Sequence, residues 1–317
     1  MNVALPEQTD RFRANLRALV GPAPAAFGIA VSGGPDSLAL LLLAEAAFPG
    51  QIEAATVDHG LRPESAAEAA FVRGLCAERG IAHATLTGPA IQGNLQAGAR
   101  ALRYRLLGDW ARQRGLAFLL TAHHQDDQAE TLLMRLQRGA GLAGLAGIRP
   151  HAEIEGLAVL RPLLGWRRAE LAEIVAEAGF TPVEDPSNRD DRFDRARMRK
   201  HIADAGWLDT PSLARSAAAL TEVEAALDWT VEQLIAERTE ATANGLTFDA
   251  RDLPAELRRR ALLRLLALLV PADPPRGEAV QRLLAVLEAG ETATLAGVKC
   301  EGGAVWRLSP EPPRRGS

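Results

Sequence analysis

The chain has 317 residues, 47% hydrophobic and 24% charged, with a formal net charge of −4. That length suits about two domains with sizeable cores, and the acidic balance excludes a uniformly basic nucleic-acid coat while leaving room for a locally basic face. Two cysteines, Cys76 and Cys300, are too few for a disulfide framework, a four-thiolate zinc site or an iron–sulfur cluster, and they fit a reducing compartment.

The opening "MNVALPEQTDRFRANL" is charged and lacks the apolar stretch of a signal peptide, and no apolar run reaches the ~18 residues of a membrane span. The expectation is a cytoplasmic protein with no membrane partner. From Phe27 to about Gly179 short apolar runs alternate with longer helical patterns. Strands are predicted at "FGIAVSGG", "IEAATVDHG", "IAHATLTG", "LAFLLTAHH" and "GLAVLRPLL". Helices are predicted between them and after the last, from "SLALLLLAEAAF" to "RRAELAEIVAEAG", by apolar spacings of three and four. This is the pattern of βαβ units, so the predicted fold is α/β, a doubly wound, mainly parallel five-stranded sheet of Rossmann-like type. Ligands of such sheets sit beyond the carboxyl ends of the strands, where "SGGPDS", "VDHGLR" and "TAHHQDD" fall.

"EDPSNRDDRFDRARMRKHI" breaks the pattern with turn residues and dense charge. The predicted division is residues 1–200, a helical domain over 201–271, and a small helix–hairpin segment over 272–317 that turns at Gly302 and Gly303 and ends in a loose tail. The helical domain begins with "TPSLARSAAALTEVEAALDWTVEQLIAERTEA" and continues with "PAELRRRALLRLLALLV". Trp166, Trp207, Trp229 and Trp306 each sit in an apolar pattern, and all four are expected in cores or domain contacts rather than as base-stacking platforms.

In "AVSGGPDSLAL", Gly33 and Gly34 let the backbone close around a ligand, and a helix starting near Asp36 or Ser37 offers free N–H groups and its positive dipole end. That makes Ser32, Gly33, Gly34, Pro35, Asp36 and Ser37 a candidate phosphate cradle. It lacks the lysine of a Walker A loop; Asp36 suits a Mg²⁺ held against the phosphates. An ordinary strand-to-helix turn with an Asp cap is the plain alternative. "GAGLAG" at Gly139–Gly144 satisfies a dinucleotide fingerprint but follows a helix, so it is read as a Gly-rich loop.

"HHQDDQAET" opens a helix after a strand. Asp127 and Glu130, three residues apart, share a helical face that would suit a metal or a substrate ammonium, or else simply complements the helix dipole. Of His123 and His124, at least one is expected to pack or hydrogen-bond. Asp58 and His59 lie at the same sheet edge, as do Asn94 and Arg100 of "GNLQAGAR". Arg192, Arg195, Arg197, Arg199 and Lys200 crowd into nine residues, which fits either a phosphate-binding face or a solvated linker.

In this order over about residues 27–200, "SGGPDS", "VDHGLR", "GNLQAGAR", "TAHHQDDQAETLLMRLQRGAGLAGLAGI", "RPLL" and "EDPSNRDDRFDRARMR" resemble the tRNA(Ile)-lysidine synthase family. That family belongs to the N-type ATP pyrophosphatase (PP-loop) superfamily. The resemblance implies ATP-dependent ligation of free L-lysine to C2 of the wobble cytidine of isoleucine tRNA with a CAU anticodon, through an adenylated base. It assigns ATP and Mg²⁺ to the Ser32–Ser37 loop, with Asp58 and His59 nearby, and L-lysine to Asp127 and Glu130. Arg195 would meet ATP or the activated intermediate; from position and charge rather than from the resemblance, Asn94, Arg100, Arg197 and Arg199 are expected to meet tRNA or phosphate. On this reading Asp36, Asp127 and Arg195 are the catalytic residues. Many family members carry a larger C-terminal domain, so this would be a short form, and Ala196 stands where many have Asn. A homodimer stays open. The rivals are a PP-loop tRNA thiolase and a nucleotide-binding sensor or assembly module without turnover.

Overall fold

The computed structural model describes residues 6–21, 26–58, 64–89, 95–181, 194–270, 275 and 277–311. Two compact units emerge, Met1–Thr221 and Glu222–Ser317. The first contains α1 (Pro6–Val20), β1 (Phe27–Ala30), α2 (Pro35–Ala47), β2 (Ile52–Asp58), α3 (Glu64–Glu78), β3 (Ala82–Thr87), α4 (Leu95–Arg114), β4 (Phe118–Leu120), α5 (Gln125–Gln137), the single turn α6 (Leu142–Leu145), β5 (His151–Ile154), β6 (Leu157–Leu160), α7 (Arg168–Glu177) and α8 (Asp194–Asp204). The long α9 (Thr210–Arg238) runs through the division. The second unit continues with β7 (Thr239–Thr242), β8 (Gly245–Asp249), α10 (Ala255–Leu269), α11 (Glu278–Glu288), β9 (Thr292–Leu295), β10 (Val298–Glu301) and β11 (Val305–Pro310).

The first sheet has the order β3-β2-β1-β4-β6-β5. All neighbours are parallel except β5, which is antiparallel to β6. The five predicted strands are all present. The sixth, β5, forms a hairpin with β6 through Glu155 and Gly156, both at positive φ. The chain winds outward from β1 to β3 and then restarts at β4 on the other side of β1. The two loops that leave β1 and β4 therefore diverge and open a crevice at the carboxyl edge.

Residues of β1 alternate across the sheet. Phe27, Ile29 and Val31 enter a core shared with Phe12, Leu16, Val72, Leu171 and the buried leucines of α2. On the other face Tyr104, Leu107 and Trp110 of α4 pack on Leu119 and Val159. Helices thus cover both faces, which makes the sheet doubly wound. Gly28 lies under Trp110, whose ring would be 3.0 Å from an added Cβ, so this strand interior accepts no side chain without moving the ring. Leu38–Leu43 of α2 are at most 2% exposed, because α1 and α7 pack against this helix above the sheet. Truncating one such leucine to Ala costs about 2–5 kcal/mol.

The second unit differs from the expected helical domain plus hairpin. Its strands form one antiparallel sheet, β7-β8-β11-β10-β9, with the Phe248 and Trp306 rings 5.8 Å apart and tilted by 45° among α10 and α11 side chains. The turn at Gly302–Gly303 lies between β10 and β11, as expected, but β8 pairs with β11, so the contacts tie residues on either side of 271 into one unit. The division also falls at Thr221/Glu222 rather than at residue 200, since α8 packs on α5. Among the described residues no helix is long and apolar enough to cross a membrane.

Candidate functional site

The loop after β1 turns at Gly33, whose φ of 87° favours glycine. Gly34 then caps α2 without a side chain, and Pro35 follows with its fixed φ. Ser37 holds the loop closed. Its Oγ accepts from Ser32 N at 3.1 Å, lies 3.2 Å from Ser32 Oγ, and donates to Gly34 O at 2.9 Å. The helical ladder begins at Leu38 N, which donates to Gly34 O at 3.0 Å. The N–H groups of Asp36 and Ser37 precede that first bond and carry the positive end of the helix dipole. Asp36 Oδ1 is buried without a hydrogen-bond partner.

The loop after β4 supplies the opposing wall. His124, 2% exposed, caps α5, and Asp127 Oδ2 accepts from His124 N at 3.1 Å in a capping-box arrangement. The His124 ring is ringed by carboxylates. Nε2 lies 3.5 Å from Asp36 Oδ2 and 3.7 Å from Asp127 Oδ2, and Nδ1 lies 3.5 Å from Asp126 Oδ2. Burial disfavours the charged ring, but hydrogen bonds to Asp126 and Asp36 and the charges of Asp127 and Asp36 prevail and raise it to about 10. The protonated ring offers Nδ1–H to Asp126 Oδ2, so the 3.2 Å approach of Asp126 N to the same nitrogen is a hydrogen bond only in the neutral form. His124 thus joins the two loops electrostatically. Asp126 is further held by Arg168 N at 3.0 Å, which anchors the start of α7.

Glu130 lies one turn beyond Asp127 and is 1% exposed. Its Oε1 accepts from Arg199 Nε at 2.8 Å, whereas Oε2 is buried without a partner. Burial raises its carboxyl pKa, Arg199 counters this, and Asp127 adds to it; the net direction is upward. His123 turns the other way along the chain, with Nδ1 3.0 Å from Thr121 Oγ1. Burial lowers it to about 4, opposed by Asp127 and reinforced by Arg161, Arg195 and Arg100. These three arginines therefore lie within electrostatic reach of the α5 start.

The expected site residues meet different fates. Ser32–Ser37, Asp127 and Glu130 converge on the β1/β4 crevice. Asp58 stands at the end of the adjacent β2 and accepts from Ser65 Oγ. His59 and Asn94 fall outside the described residues. Arg100 is exposed, 5.0 Å over the Tyr104 ring, Arg195 is exposed on α8, and Arg197 pairs with Asp194. Arg199, expected among RNA-facing cations, instead donates to Glu130. That pair spans 69 residues, and no local pattern signals it. The Gly139–Gly144 segment is no dinucleotide loop. Arg135 Nη1 donates to Gly144 O and Gly147 O at 2.6 and 2.9 Å, and Gln128 bonds both Ile148 N and Ile148 O, so helix α5 itself moors the segment. Sequence reasoning also missed Asp126, whose carboxylate links α5 to α7.

Trp166 and Trp306 are fully buried as expected, but Trp207 is 83% and Trp229 67% exposed. An apolar sequence neighbourhood does not decide which way a ring on a helix or turn faces.

Residues 8–205 match the family model described as PP-loop domain. The tRNA(Ile)-lysidine synthase of Novosphingobium aromaticivorans is 49% identical over 312 residues, covering 96% of this chain and 94% of that protein. The enzyme of the same name from Zymomonas mobilis is 44% identical over 305 residues, covering 94% and 92%. Among solved structures, the U34-tRNA thiolase of Methanococcus maripaludis with its [4Fe-4S] cluster is similar with a TM-score of 0.57 at 18% identity. That match covers 68% of this chain and 78% of the thiolase, a likeness of fold.

Proposed function

The chain belongs to the tRNA(Ile)-lysidine synthase family of PP-loop enzymes, and from this premise we propose how its residues divide the work of an ATP-dependent tRNA modification. The target is the wobble cytidine of isoleucine tRNA with a CAU anticodon, and the nucleophile is free L-lysine. The base's C2 oxygen attacks the α-phosphorus of ATP and pyrophosphate leaves. The lysine ε-amine then attacks C2, AMP departs with the former carbonyl oxygen, and the ammonium proton is lost.

One observation carries this reading: a buried carboxylate, Glu130, keeps one oxygen unpartnered a helical turn from Asp127, across a crevice from an anion-receiving helix N-terminus. Leaving such an oxygen open costs stability, and a ligand ammonium satisfies it. Glu130 binds and orients that ammonium through a charge-assisted hydrogen bond. Asp127, fixed by its bond to His124 N, takes the proton as the amine attacks. The N–H groups at the start of α2 and the exposed Arg195 face the phosphates and the charge that develops on them. The buried, unpartnered Asp36 Oδ1 fits a magnesium ion, which when bound neutralises phosphate charge. His124 holds Asp36 and Asp127 in place between the two loops. The absence of a membrane-spanning pattern among the described residues and a tRNA substrate support a cytoplasmic setting.

Sulfur delivery finds no support in this chain's thiols. Cys76 and Cys300 are both fully buried, and burial pushes each up to about 11, far from a reactive thiolate. The test is to incubate the protein with ATP, Mg²⁺, labelled lysine and transcribed isoleucine tRNA. Label entering the RNA, and lost when the wobble cytidine is changed, is the expected result. AMP formation without lysine in the RNA contradicts it, and binding without AMP formation returns the chain to a sensor role.

A further inference from the structure

The two exposed tryptophans stand in opposite electrostatic settings. Residues 222–238 around Trp229 carry Glu222, Glu224, Asp228, Glu232 and Glu237 against Arg238; Arg260 pairs with Glu224 and Asp228 and Arg264 with Glu232, so that ring sits on a stretch of α9 that stays acidic on balance. Trp207 follows α8, and residues 194–215 carry Arg195, Arg197, Arg199, Lys200 and Arg215 against Asp194, Asp204 and Asp209. Two of those acids are engaged locally. Asp194 pairs with Arg138 and Arg197, and Asp209 accepts from Ser212 N at 2.9 Å with Arg215 3.9 Å away. Three of those cations are themselves engaged, Arg197 with Asp194, Arg215 with Asp209 and Arg199 with Glu130, so the stretch keeps a small positive balance rather than a large one. Trp207, 83% exposed, is the most exposed large apolar side chain among the described residues, and a flat ring beside a positive balance of charge matches a base and its phosphates.

Trp207 is also tied to the site. Helix α8 is fastened to α5 at Arg199–Glu130 and at Arg138–Asp194, the latter 2.7 Å. Five helical steps and three further residues separate Arg199 from Trp207. At 1.5 Å and at most ~3.6 Å each, they place the Cα of Trp207 within about 18 Å of the Cα of Arg199, the partner of the ammonium-binding carboxylate. A base undergoing chemistry must be unpaired, and neighbouring unpaired bases in RNA are recognised by stacking on aromatic rings.

We propose that Trp207 is a stacking platform for an unpaired base of the RNA substrate near the modified nucleotide, with the exposed cations of α8 facing its phosphates. The proposal rests on the tRNA reading given above and adds the surface that grips the loop. Stacking needs a flat ring but not tryptophan, so Trp207→Phe retains it and Trp207→Ala does not.

The test uses the full chain carrying Trp229→Phe, so that Trp207 is the exposed fluorophore, titrated with transcribed isoleucine tRNA without ATP or lysine. Fluorescence quenching on RNA binding is expected in the parent, together with a Kd, read for every variant by retention of labelled tRNA on a filter, about tenfold weaker in Trp207→Ala and within about threefold of the parent in Trp207→Phe. The dependence of Kd on salt should keep its slope in Trp207→Ala and become shallower by about one in Arg197→Ala, since only the latter removes a phosphate contact. An unchanged Kd in Trp207→Ala overturns the proposal. So does a change in sedimentation coefficient with RNA affinity intact, which would assign the ring to a protein partner. A parent that binds and quenches here but transfers no lysine in the labelling assay given above sinks the lysidine reading and leaves the platform standing.

Discussion

Two buried glutamates, one in each unit, show how differently the same side chain is used. Glu224 in the second unit is 4% exposed, and Arg260 reaches it with two parallel bonds, 3.0 Å to Oε1 and 2.6 Å to Oε2. The same guanidinium also binds Asp228 and Glu256, at 3.0 and 2.7 Å. Glu130 in the first unit is equally buried, but Arg199 satisfies only one of its oxygens. The closed arrangement holds α9 to α10 and leaves nothing for a ligand. The open one leaves a buried carboxylate oxygen available at the crevice, and the proposed ammonium-binding role of Glu130 rests on that contrast.

Variants of the two sets should therefore separate activity from stability. The largest effect is expected from Asp127→Asn, which keeps the acceptor that bonds His124 N but removes the charge. Lysine transfer should slow by about 10²–10⁴ while pyrophosphate release continues, as followed by both products in one reaction. Equal slowing of both steps would place Asp127 in the first step instead. Asp36→Asn should cut pyrophosphate release itself by about 10²–10³, measured with saturating tRNA. In the second unit Arg260→Met strands a buried carboxylate and should cost about 3–5 kcal/mol in urea unfolding; a loss below 1 kcal/mol would mean that the Glu224 cluster is not closed as described.

The smallest expected effect is one of pH. His123 titrates near 6.5 when unfolded and at about 4 in the folded chain. Between these values the unfolded state binds more protons, so stability should be full above pH 6.5 and lost as pH falls through 4. His123→Asn should flatten that part of the profile, whereas an unchanged slope would show that other groups govern it.

Much of the first unit was legible because its elements announce themselves by period. Buried parallel strands read as short apolar runs, their helices as three- and four-residue spacings, and the polar loops between them mark the ligand edge by position alone. The elements that escaped had weak or competing signals. Helix α1 buries Thr9, Phe12 and Leu16 on one face within a charged segment. Strand β5 has exposed residues alternating with half-buried ones, as an edge does. The β7–β8 hairpin carried Asn244–Gly245, a strong turn signal, but the long helical pattern before it drew the helix reading onward. Helix α8 lies in a run whose charges read equally well as a linker, and its packing on α5, with Ala196 buried and Arg199 paired to Glu130, joins residues distant in sequence. For the candidate site, residue types and spacing singled out Asp36, Asp127 and Glu130. They could not tell that His124 would sit among three carboxylates or that Arg199 would turn inward to Glu130, because both depend on which loops the sheet order brings together.

The most direct test of the open-valence account is lysine transfer by Glu130→Gln across a range of lysine concentrations, with pyrophosphate release followed in the same samples. The account predicts pyrophosphate release at the parent rate and a half-saturating lysine concentration raised at least tenfold, as loss of a charge-assisted bond to an ammonium requires. An unchanged lysine dependence, or parallel loss of both steps, would contradict it and return Glu130 to a purely structural role beside Arg199.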